Sequence, residues 1–299
     1  MIIGITGGTG FLGRYMVRHL ASEGHECRCW HRTGSDRGGF DDLARPVTWV
    51  SGDLADAASM RELAKGCDAV VHAALYRPGA GFRGAEGDLA TFVERNVLGT
   101  IRLIEAARSA GVRRFVFIST CAVHEKILDD RKLDEAHPLW PTSHYGAHKA
   151  AIEKFIHSYG LGHGFEICAL RPTGIYGAAR PLEKSKWHKL VHAVARGEPI
   201  TSDRGGKEVH AADVAKAVAM LLAADGIAGQ AYNCYDRYIA DQEVAVIAKR
   251  ITRNDSRIEM LNKGPKNQID TSKIRALGMT FGGTVLLEQT VREMLAVGR

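Results

Sequence analysis

A tyrosine and a lysine, Tyr145 and Lys149, are separated by one turn of a predicted helix. At about 100° per residue they share one stripe with Ile152 and Ile156, while Glu153 falls on the opposite side. An apolar stripe is the face that a helix buries, and a buried ammonium is costly unless it is paired or has a task. The pattern therefore identifies Lys149 as a candidate functional residue.

The two side chains suit acid–base catalysis. A free tyrosine titrates near pH ~10, which is too high for a good base at neutral pH. A nearby ammonium stabilises the phenolate and lowers the tyrosine pKa, and a spacing of four places both groups on adjacent turns of one face. The alternative is an ordinary helix lysine whose amine reaches out of the core.

A glycine-rich turn, TGGTGFLG, follows the first predicted strand and opens the first predicted helix. In this context the spacing of Gly7, Gly10 and Gly13 is typical of dinucleotide binding. Gly7 allows the tight turn, Gly10 lets a pyrophosphate approach the backbone, and Gly13 lets the helix pack close to the sheet. The alternative is a purely structural turn.

The end of the second predicted strand, CWHRTGS, bears on the choice of cofactor. An acidic residue there would bind the ribose 2′-OH of NAD, whereas an arginine favours a 2′-phosphate. His31 and Arg32 occupy this place, so we expect NADP(H), with NAD as a possibility. A solvated surface arginine is the alternative.

Strand and helix signals alternate along the first part of the chain. Apolar segments such as IIGIT, DAVVHAA and FEICALRP are separated by helical patterns. Such repeats predict an α/β fold built on a doubly wound, parallel Rossmann sheet covered on both faces. We assign residues 1–175 to this nucleotide-binding domain, with 208–235 returning to it. Residues 176–207 and 236–299 are predicted to form a small, mostly helical C-terminal substrate lobe.

Composition narrows the class of protein. The 299 residues carry a formal net charge of +6, but no basic cluster is interleaved with aromatics as in nucleic-acid binding proteins. No apolar run reaches the roughly 18 residues of a membrane span, and the N-terminus lacks a signal-peptide pattern. The six cysteines show no metal-ligand spacing and suit buried thiols in a reducing compartment. We expect a cytoplasmic protein that acts on a small molecule, without nucleic acid, membrane or metal.

Three motifs together resemble a known family. TGGTGFLG, Tyr145-x-x-x-Lys149 and LRPTGIYG are similar to segments of the extended short-chain dehydrogenase/reductases, also called the NAD-dependent epimerase/dehydratase family. The shorter segments GDL, VVHAA, NVLGT and HAADVA match in the same order. The resemblance covers nearly the whole chain, so it implies both the Rossmann fold and a nicotinamide cofactor.

The resemblance also implies roles for individual residues. Tyr145 would be the general acid/base, Lys149 would hold the nicotinamide ribose, and Thr120 would polarise the substrate oxygen, with Ser119 as the fallback. Cofactor contacts are implied for Gly7, Thr9, Gly10, Phe11, Leu12, Gly13, Arg32, Asp53, Leu54, Ala73, Ala74, Asn96, Tyr145, Lys149 and Pro172. A homodimer is implied in which the predicted helices Leu89–Ala110 and Ser143–Gly160 pair across a two-fold axis.

The sequence departs from the family pattern around the substrate. Cys121 and Ala122 replace the Asp-Glu pair of dehydratases, which makes 4,6-dehydration unexpected. Gly206 stands where an arginine grips the diphosphate of nucleotide sugars, with Lys207 as a neighbouring substitute. Gly174 and His124 replace an Asn and a Tyr that often occur near the substrate. These departures weaken the nucleotide-sugar interpretation.

The sequence thus predicts an NADP-preferring oxidoreductase that transfers hydride between the nicotinamide and a carbon bearing oxygen. A sugar or nucleotide-sugar epimerase is the nearest alternative, and a non-catalytic NADP(H) sensor is the rival from another class. The loops Tyr76–Gly87 and His124–Trp140 are expected to select the substrate, which no motif identifies.

Overall fold

The computed structural model describes residues 1–79, 84, 86–259 and 264–296, so part of the loop Tyr76–Gly87 lies outside the described residues. Seven parallel strands form the main sheet in the order β3-β2-β1-β4-β5-β6-β9. Their bounds are β1 Ile2–Thr6, β2 Glu26–His31, β3 Thr48–Ser51, β4 Ala69–His72, β5 Arg114–Ile118, β6 Glu166–Pro172 and β9 Gln230–Cys234. The predicted doubly wound parallel sheet is confirmed.

Seven α-helices of the described residues flank this sheet. They are α1 Phe11–Ser22, α2 Ala57–Ala64, α3 Leu89–Val93, α4 Gly99–Ser109, α5 His144–His157, α7 Ala211–Ala223 and α9 Ser272–Ala276. The predicted long helix starting at Leu89 is α3 and α4 joined by one wide π-helical turn, Glu94–Leu98. Asp56 caps α2 by accepting a hydrogen bond from the Ala58 amide, as its Asp-cap pattern indicates.

The chain divides into two compact units. Unit 1 comprises residues 1–172, 214–234 and 269–279, and unit 2 comprises 173–213, 235–268 and 280–299. The core of unit 1 lies on the central strands, whose residues Ile3, Ile5, Val70, Val116 and Leu170 are fully buried. A parallel sheet covered on both faces produces such uninterrupted apolar strands.

Unit 2 contains a second sheet that the sequence analysis did not predict. Its strands are β7 Gly174–Tyr176, β8 Gly205–His210 and β10 Arg237–Ala240, in the order β10-β8-β7. The helices of this unit are α6 His188–Ala195, α8 Asp241–Thr252 and α10 Gly283–Ala296. The short, glycine-rich strands lack an alternating apolar pattern, which is why the lobe looked mostly helical in sequence.

Within the described residues, no helix is long and apolar enough to span a membrane.

Candidate active site

The N-terminus of α5 is held in place by one carboxylate. Glu125 accepts hydrogen bonds from the backbone amides of Thr142 and Ser143, and Ser143 caps the helix through the amide of Gly146. Burial alone would raise the pKa of Glu125, but the hydrogen bonds from Thr142 and Ser143 outweigh burial and lower it. The turn that carries Tyr145 is therefore firmly anchored.

Lys149 is buried, as its place on the apolar stripe predicts. Its side chain is 5% exposed, and Nζ donates a 2.7 Å hydrogen bond to the carbonyl of Ile118 at the end of β5. The amine lies 4.4 Å from the centre of the Phe117 ring. Burial lowers the pKa of Lys149 to about 7, although the nearby Glu153 carboxylate opposes the shift. Tyr145, one turn earlier, is half-buried.

Thr120 and Ser119 follow β5 but differ in their surroundings. The Thr120 hydroxyl accepts from the amide of Ala122, which starts a short turn of 3₁₀-helix. A Cβ at Gly146 would lie 2.6 Å from the Ala122 carbonyl, so the turn carrying Tyr145 packs directly against the turn after Thr120. Ser119 is buried and donates a 2.5 Å hydrogen bond to Oε1 of Glu153. Ser119 is thus occupied by a residue of α5, and the choice of Thr120 as the catalytic hydroxyl stays a prediction.

The predicted position of Glu153 on the outer face of α5 is wrong. Glu153 is 1% exposed and forms a buried ion pair with Arg171 of β6, with Oε2 2.6 Å from Nη2. Burial of a carboxylate is tolerated where a paired guanidinium and hydrogen bonds satisfy it. The sequence signal for this pair was Arg171, a charged residue inside the apolar strand FEICALRP.

Two histidines that the sequence analysis gave no catalytic role are buried near this network. The ring of His124 accepts a 3.1 Å hydrogen bond from Arg171 at Nε2, so His124 is bound inside unit 1. Burial and the charge of Arg171 lower its pKa to about 3. His148 packs between Phe92 and Tyr145, with ring centres 5.1 and 5.4 Å away. Burial and the Lys149 charge lower the pKa of His148 to about 2, so both imidazoles are neutral.

The glycine turn has the geometry that a pyrophosphate requires. Gly7 has φ +77°, a conformation that favours glycine. A Cβ at Gly13 would overlap the carbonyl of Gly7, so α1 begins directly against the turn. Gly10 is the N-cap and has no side chain to cap the helix. Thr9 precedes this position, and Phe11 opens α1. The amides of the first turn can therefore bind phosphates, and the residues fit a dinucleotide.

A chain of hydrogen bonds fixes the backbone after β4. The Thr6 hydroxyl accepts from the amides of Ala73 and Ala74 and lies 2.6 Å from Nδ1 of His72. His72 contacts Thr100 at 2.9 Å through Nε2, and burial, followed by the Lys149 charge, lowers its pKa to about 3. The Thr100 hydroxyl donates to the Asn96 carbonyl, so it accepts from Nε2, and the neutral ring of His72 accepts from Thr6 at Nδ1. The sequence did not predict these hydrogen bonds.

Asn96 is occupied by backbone groups. Its Oδ1 accepts from the amide of Tyr76 at 2.8 Å, and Nδ2 donates to the carbonyls of Tyr76 and Phe92. The side chain thereby ties the π-helical turn to the segment after β4. The predicted contact of Asn96 with the cofactor stays a prediction.

The other predicted cofactor contacts follow strands of the same sheet. They are Arg32 after β2, Asp53 and Leu54 after β3, Ala73 and Ala74 after β4, and Pro172 at the end of β6, while Leu12 lies in the first turn of α1. Parallel strands bring their carboxyl ends to one edge, where doubly wound folds bind ligands. Arg32 is exposed, and its guanidinium makes no hydrogen bond or ion pair with the described residues.

Comparison with known proteins agrees with this geometry. The model of the NAD dependent epimerase/dehydratase family matches residues 3–234. The chain belongs to this family. The predicted family membership is confirmed, and the family model is described as NAD dependent.

Curated relatives in the family catalyse several reactions. The chain is 30% identical over 194 residues to UDP-glucose 4-epimerase of Rhizobium meliloti (strain 1021), covering 64% of this chain and 57% of the relative. It is 33% identical over 243 residues to a 4-hydroxy-2-methyl-3-oxo-4-farnesyl-3,4-dihydroquinoline-1-oxide ketoreductase of Stigmatella aurantiaca, covering 78% of this chain and 67% of the relative. The chain thus spans little more than half the length of the epimerase.

Solved structures of family members have the same fold. A dTDP-glucose 4,6-dehydratase from Streptomyces venezuelae with NAD and DAU bound has a TM-score of 0.77 and 26% identity, covering 100% of this chain and 98% of the other. The UDP-glucose 4-epimerase of Thermus thermophilus in complex with NAD has a TM-score of 0.78 and 24% identity, covering 99% of this chain and 100% of the other. The predicted fold of this family is confirmed.

Proposed function

We propose that the protein is an NADP-preferring oxidoreductase that transfers hydride between the nicotinamide and a carbon bearing oxygen. The observation that carries this proposal is the burial of Lys149 one turn from Tyr145, with its amine bonded to the end of β5. A buried amine whose pKa is lowered to about 7 is expensive to keep as a structural residue.

The residues divide the chemistry between them. Tyr145 passes a proton to or from the substrate oxygen, and Thr120 donates a hydrogen bond to the same oxygen. The Lys149 ammonium stabilises the Tyr145 phenolate through charge. The bound nicotinamide supplies the hydride. Glu125 and Ser119 keep the helix and the strand in register, since both bond across the elements that carry the reacting groups.

The preference for NADP rests on Arg32. Its exposed guanidinium follows β2 directly and meets the place of the adenosine ribose in folds of this kind. His31, the last residue of β2, is not acidic either, so a 2′-phosphate finds no repelling charge there. NAD remains the alternative because the family model is described as NAD dependent.

A turnover assay separates the proposed reaction from epimerisation. The protein is incubated with NADPH or NADP⁺ and a panel of aldehydes, ketones, alcohols and sugars, and NADPH absorbance is followed. Net consumption or formation of NADPH supports a reductase or dehydrogenase. Conversion of a sugar without net cofactor change supports an epimerase, the alternative favoured by the UDP-glucose 4-epimerase relatives.

We infer that two copies associate through α3, α4 and α5. Four large apolar side chains on or beside these helices are 39–44% exposed: Leu89, Val93, Leu98 and Phe155. A two-fold interface places the same patch of each copy against the other. The six cysteines are free thiols, which suits a reducing compartment, and we place the protein in the cytoplasm.

A further inference from the structure

One histidine of unit 1 has no part in the proposed proton transfer, yet it is buried at the carboxyl edge of the sheet. His72, the last residue of β4, is 1% exposed, and its ring lies 5.7 Å from the Phe117 ring, measured between centres. Burial, followed by the charge of Lys149, lowers the pKa of His72 to about 3. The imidazole is therefore neutral, with one nitrogen that donates and one that accepts.

The hydrogen bonds of His72 have a single consistent direction. The Thr100 hydroxyl donates to the Asn96 carbonyl at 2.6 Å, so it accepts from Nε2 of the ring at 2.9 Å. Nδ1 is then the accepting nitrogen, and the Thr6 hydroxyl donates to it at 2.6 Å. The lone pairs of the Thr6 oxygen are left to accept from the two backbone amides that follow β4, at 3.1 and 3.0 Å. Each proton of the chain is thus fixed by its neighbour.

These bonds connect three segments that carry predicted cofactor contacts. The two amides belong to Ala73 and Ala74, and the Ala73 amide also donates to the Thr6 carbonyl at 3.3 Å. A Cβ at Gly7 would lie 2.9 Å from the Ala73 carbonyl carbon, so the glycine turn packs directly on this backbone. Asn96, at the other end of the chain, lies in the π-helical turn between α3 and α4. A shift of the segment after β4 would therefore displace the glycine turn.

The imidazole is the member on which the order of this chain depends. Thr6 is fully buried and Thr100 is 2% exposed, so bulk water does not reach either hydroxyl. A phenyl ring at position 72 would leave the Thr6 hydroxyl free to rotate, and the two amides would lose an acceptor of fixed orientation. The backbone after β4 would then populate several arrangements, of which the cofactor would have to select one, and its apparent affinity would fall.

We propose that His72 is a positioning residue for the cofactor: its imidazole orients the Thr6 hydroxyl and thereby holds the Ala73–Ala74 backbone and the glycine turn in the arrangement that binds the dinucleotide. The proposal rests on the proposed function, because it concerns the cofactor of that reaction. The role requires no proton transfer by His72, so it can fail while the Tyr145–Lys149 chemistry stands.

Fluorescence titration with NADPH and with NADH measures the effect on binding. His72→Phe keeps a ring and removes both nitrogens, and we expect it to raise the Kd of both cofactors about tenfold or more. His157→Phe is the matched control, because Nδ1 of His157 contacts the carbonyl of Gly229, which precedes β9 at the opposite edge of the sheet. Its Kd values should equal those of the wild type. Unchanged Kd values in folded His72→Phe, or an equal rise in His157→Phe, overturn the proposal.

Variants of Thr6 test whether the two residues act as one unit. Thr6→Val removes the hydroxyl that accepts from the two amides, so it should raise both Kd values as much as His72→Phe does, while Thr6→Ser should bind as the wild type. The double variant Thr6→Val/His72→Phe should bind no more weakly than either single variant, because members of one hydrogen-bond network are not additive. Additive effects overturn the proposal. If His72→Phe does not fold, wild-type Kd values in Thr6→Val overturn it on their own.

Hydrogen exchange of the Ala74 amide, followed by NMR, separates positioning from general stability. In the cofactor-free protein this amide should exchange at least about tenfold faster in His72→Phe than in the wild type, and at the wild-type rate in His157→Phe. An unchanged rate in His72→Phe overturns the proposal. A wild type that binds cofactor without turnover contradicts the proposed function and leaves this inference standing, whereas a wild type that binds neither cofactor contradicts both.

Discussion

At the scale of single residues, we propose that Arg32 sets the cofactor preference. Its guanidinium is exposed and unengaged among the described residues, so it is available to a 2′-phosphate. NADPH should bind more tightly than NADH, and Arg32→Asp should weaken or reverse this preference. The Kd of each cofactor is measured by fluorescence titration. Arg37→Asp, at another exposed arginine of the same loop, is the control. Equal Kd values for both cofactors in the wild type contradict the prediction.

Lys149 should make the stability of the cofactor-free protein depend on pH. Burial lowers its pKa to about 7, from 10.5 for free lysine. Between these values the unfolded chain holds a proton that the folded chain lacks, so the free energy of unfolding rises with pH in this window. Below pH ~7 the cost of burying the charge is present in full.

Lys149→Met removes this cost. The Tm of the cofactor-free variant should exceed that of the wild type at pH ~6, and the difference should shrink towards pH ~10. Lys154→Met, whose amine is exposed on the same helix, should show no such pattern. Thermal unfolding followed by circular dichroism at both pH values measures the effect. A difference that is the same at both pH values would show that the Lys149 amine is not destabilised by burial.

At the scale of elements, β5 and α5 are tied together by Ser119 and Glu153. Because the Ser119 hydroxyl is bonded to this buried carboxylate, Ser119→Ala should cost about 1–3 kcal/mol of stability. Turnover by the folded variant should be largely retained. Thr120→Val should instead lose turnover, together with the part of the stability, about 0.5–2 kcal/mol, that the hydrogen bond from the Ala122 amide contributes, while Thr120→Ser keeps both.

Chemical denaturation and steady-state kinetics on the same variants measure these two effects. If Ser119→Ala abolishes turnover and Thr120→Val retains it, the catalytic hydroxyl is that of Ser119 and not that of Thr120. If every variant retains turnover, neither the Ser119 nor the Thr120 hydroxyl takes part in the reaction.

Sequence patterns predicted the elements of unit 1 better than those of unit 2. The apolar strands and the Asp-capped helix α2 have local sequence patterns that are enough to indicate these elements. The burial of Glu153 depends on Arg171, eighteen residues away, and no periodicity on α5 reveals such a partner. The strand GGKEVH has no local strand pattern and is defined by its neighbours β7 and β10.

The parts of the candidate site that consist of local sequence motifs could be predicted from the sequence. The glycine turn and the pair Tyr145 and Lys149 are local motifs, and the structure places both on unit 1. The neutral histidines His72 and His148 were missed, because their burial depends on packing against residues distant in sequence. The surroundings of His72 and His148 are formed by β4, α3 and α5, which only the fold brings together.

At the scale of the whole molecule, the exposed apolar side chains of α3 and α5 predict a homodimer. Val93 and Phe155 are 44% and 41% exposed, and a second copy would cover them. Light scattering at micromolar concentration should give twice the chain mass, and Phe155→Asp should shift the mass towards the monomer. Val285→Asp, at an apolar residue of unit 2 that is 76% exposed, is the control. A monomer mass for the wild type contradicts the prediction.

The central claim is that Tyr145 transfers a proton in a nicotinamide-dependent reaction. The most direct measurement compares NADPH turnover of the wild type, Tyr145→Phe and the control Tyr159→Phe, with the NADPH Kd of each. Tyr145→Phe should lose about 10²- to 10⁴-fold in kcat and keep its Kd, because the ring still packs but the proton is gone. Tyr159→Phe should behave as the wild type. Wild-type kcat in Tyr145→Phe would contradict the account.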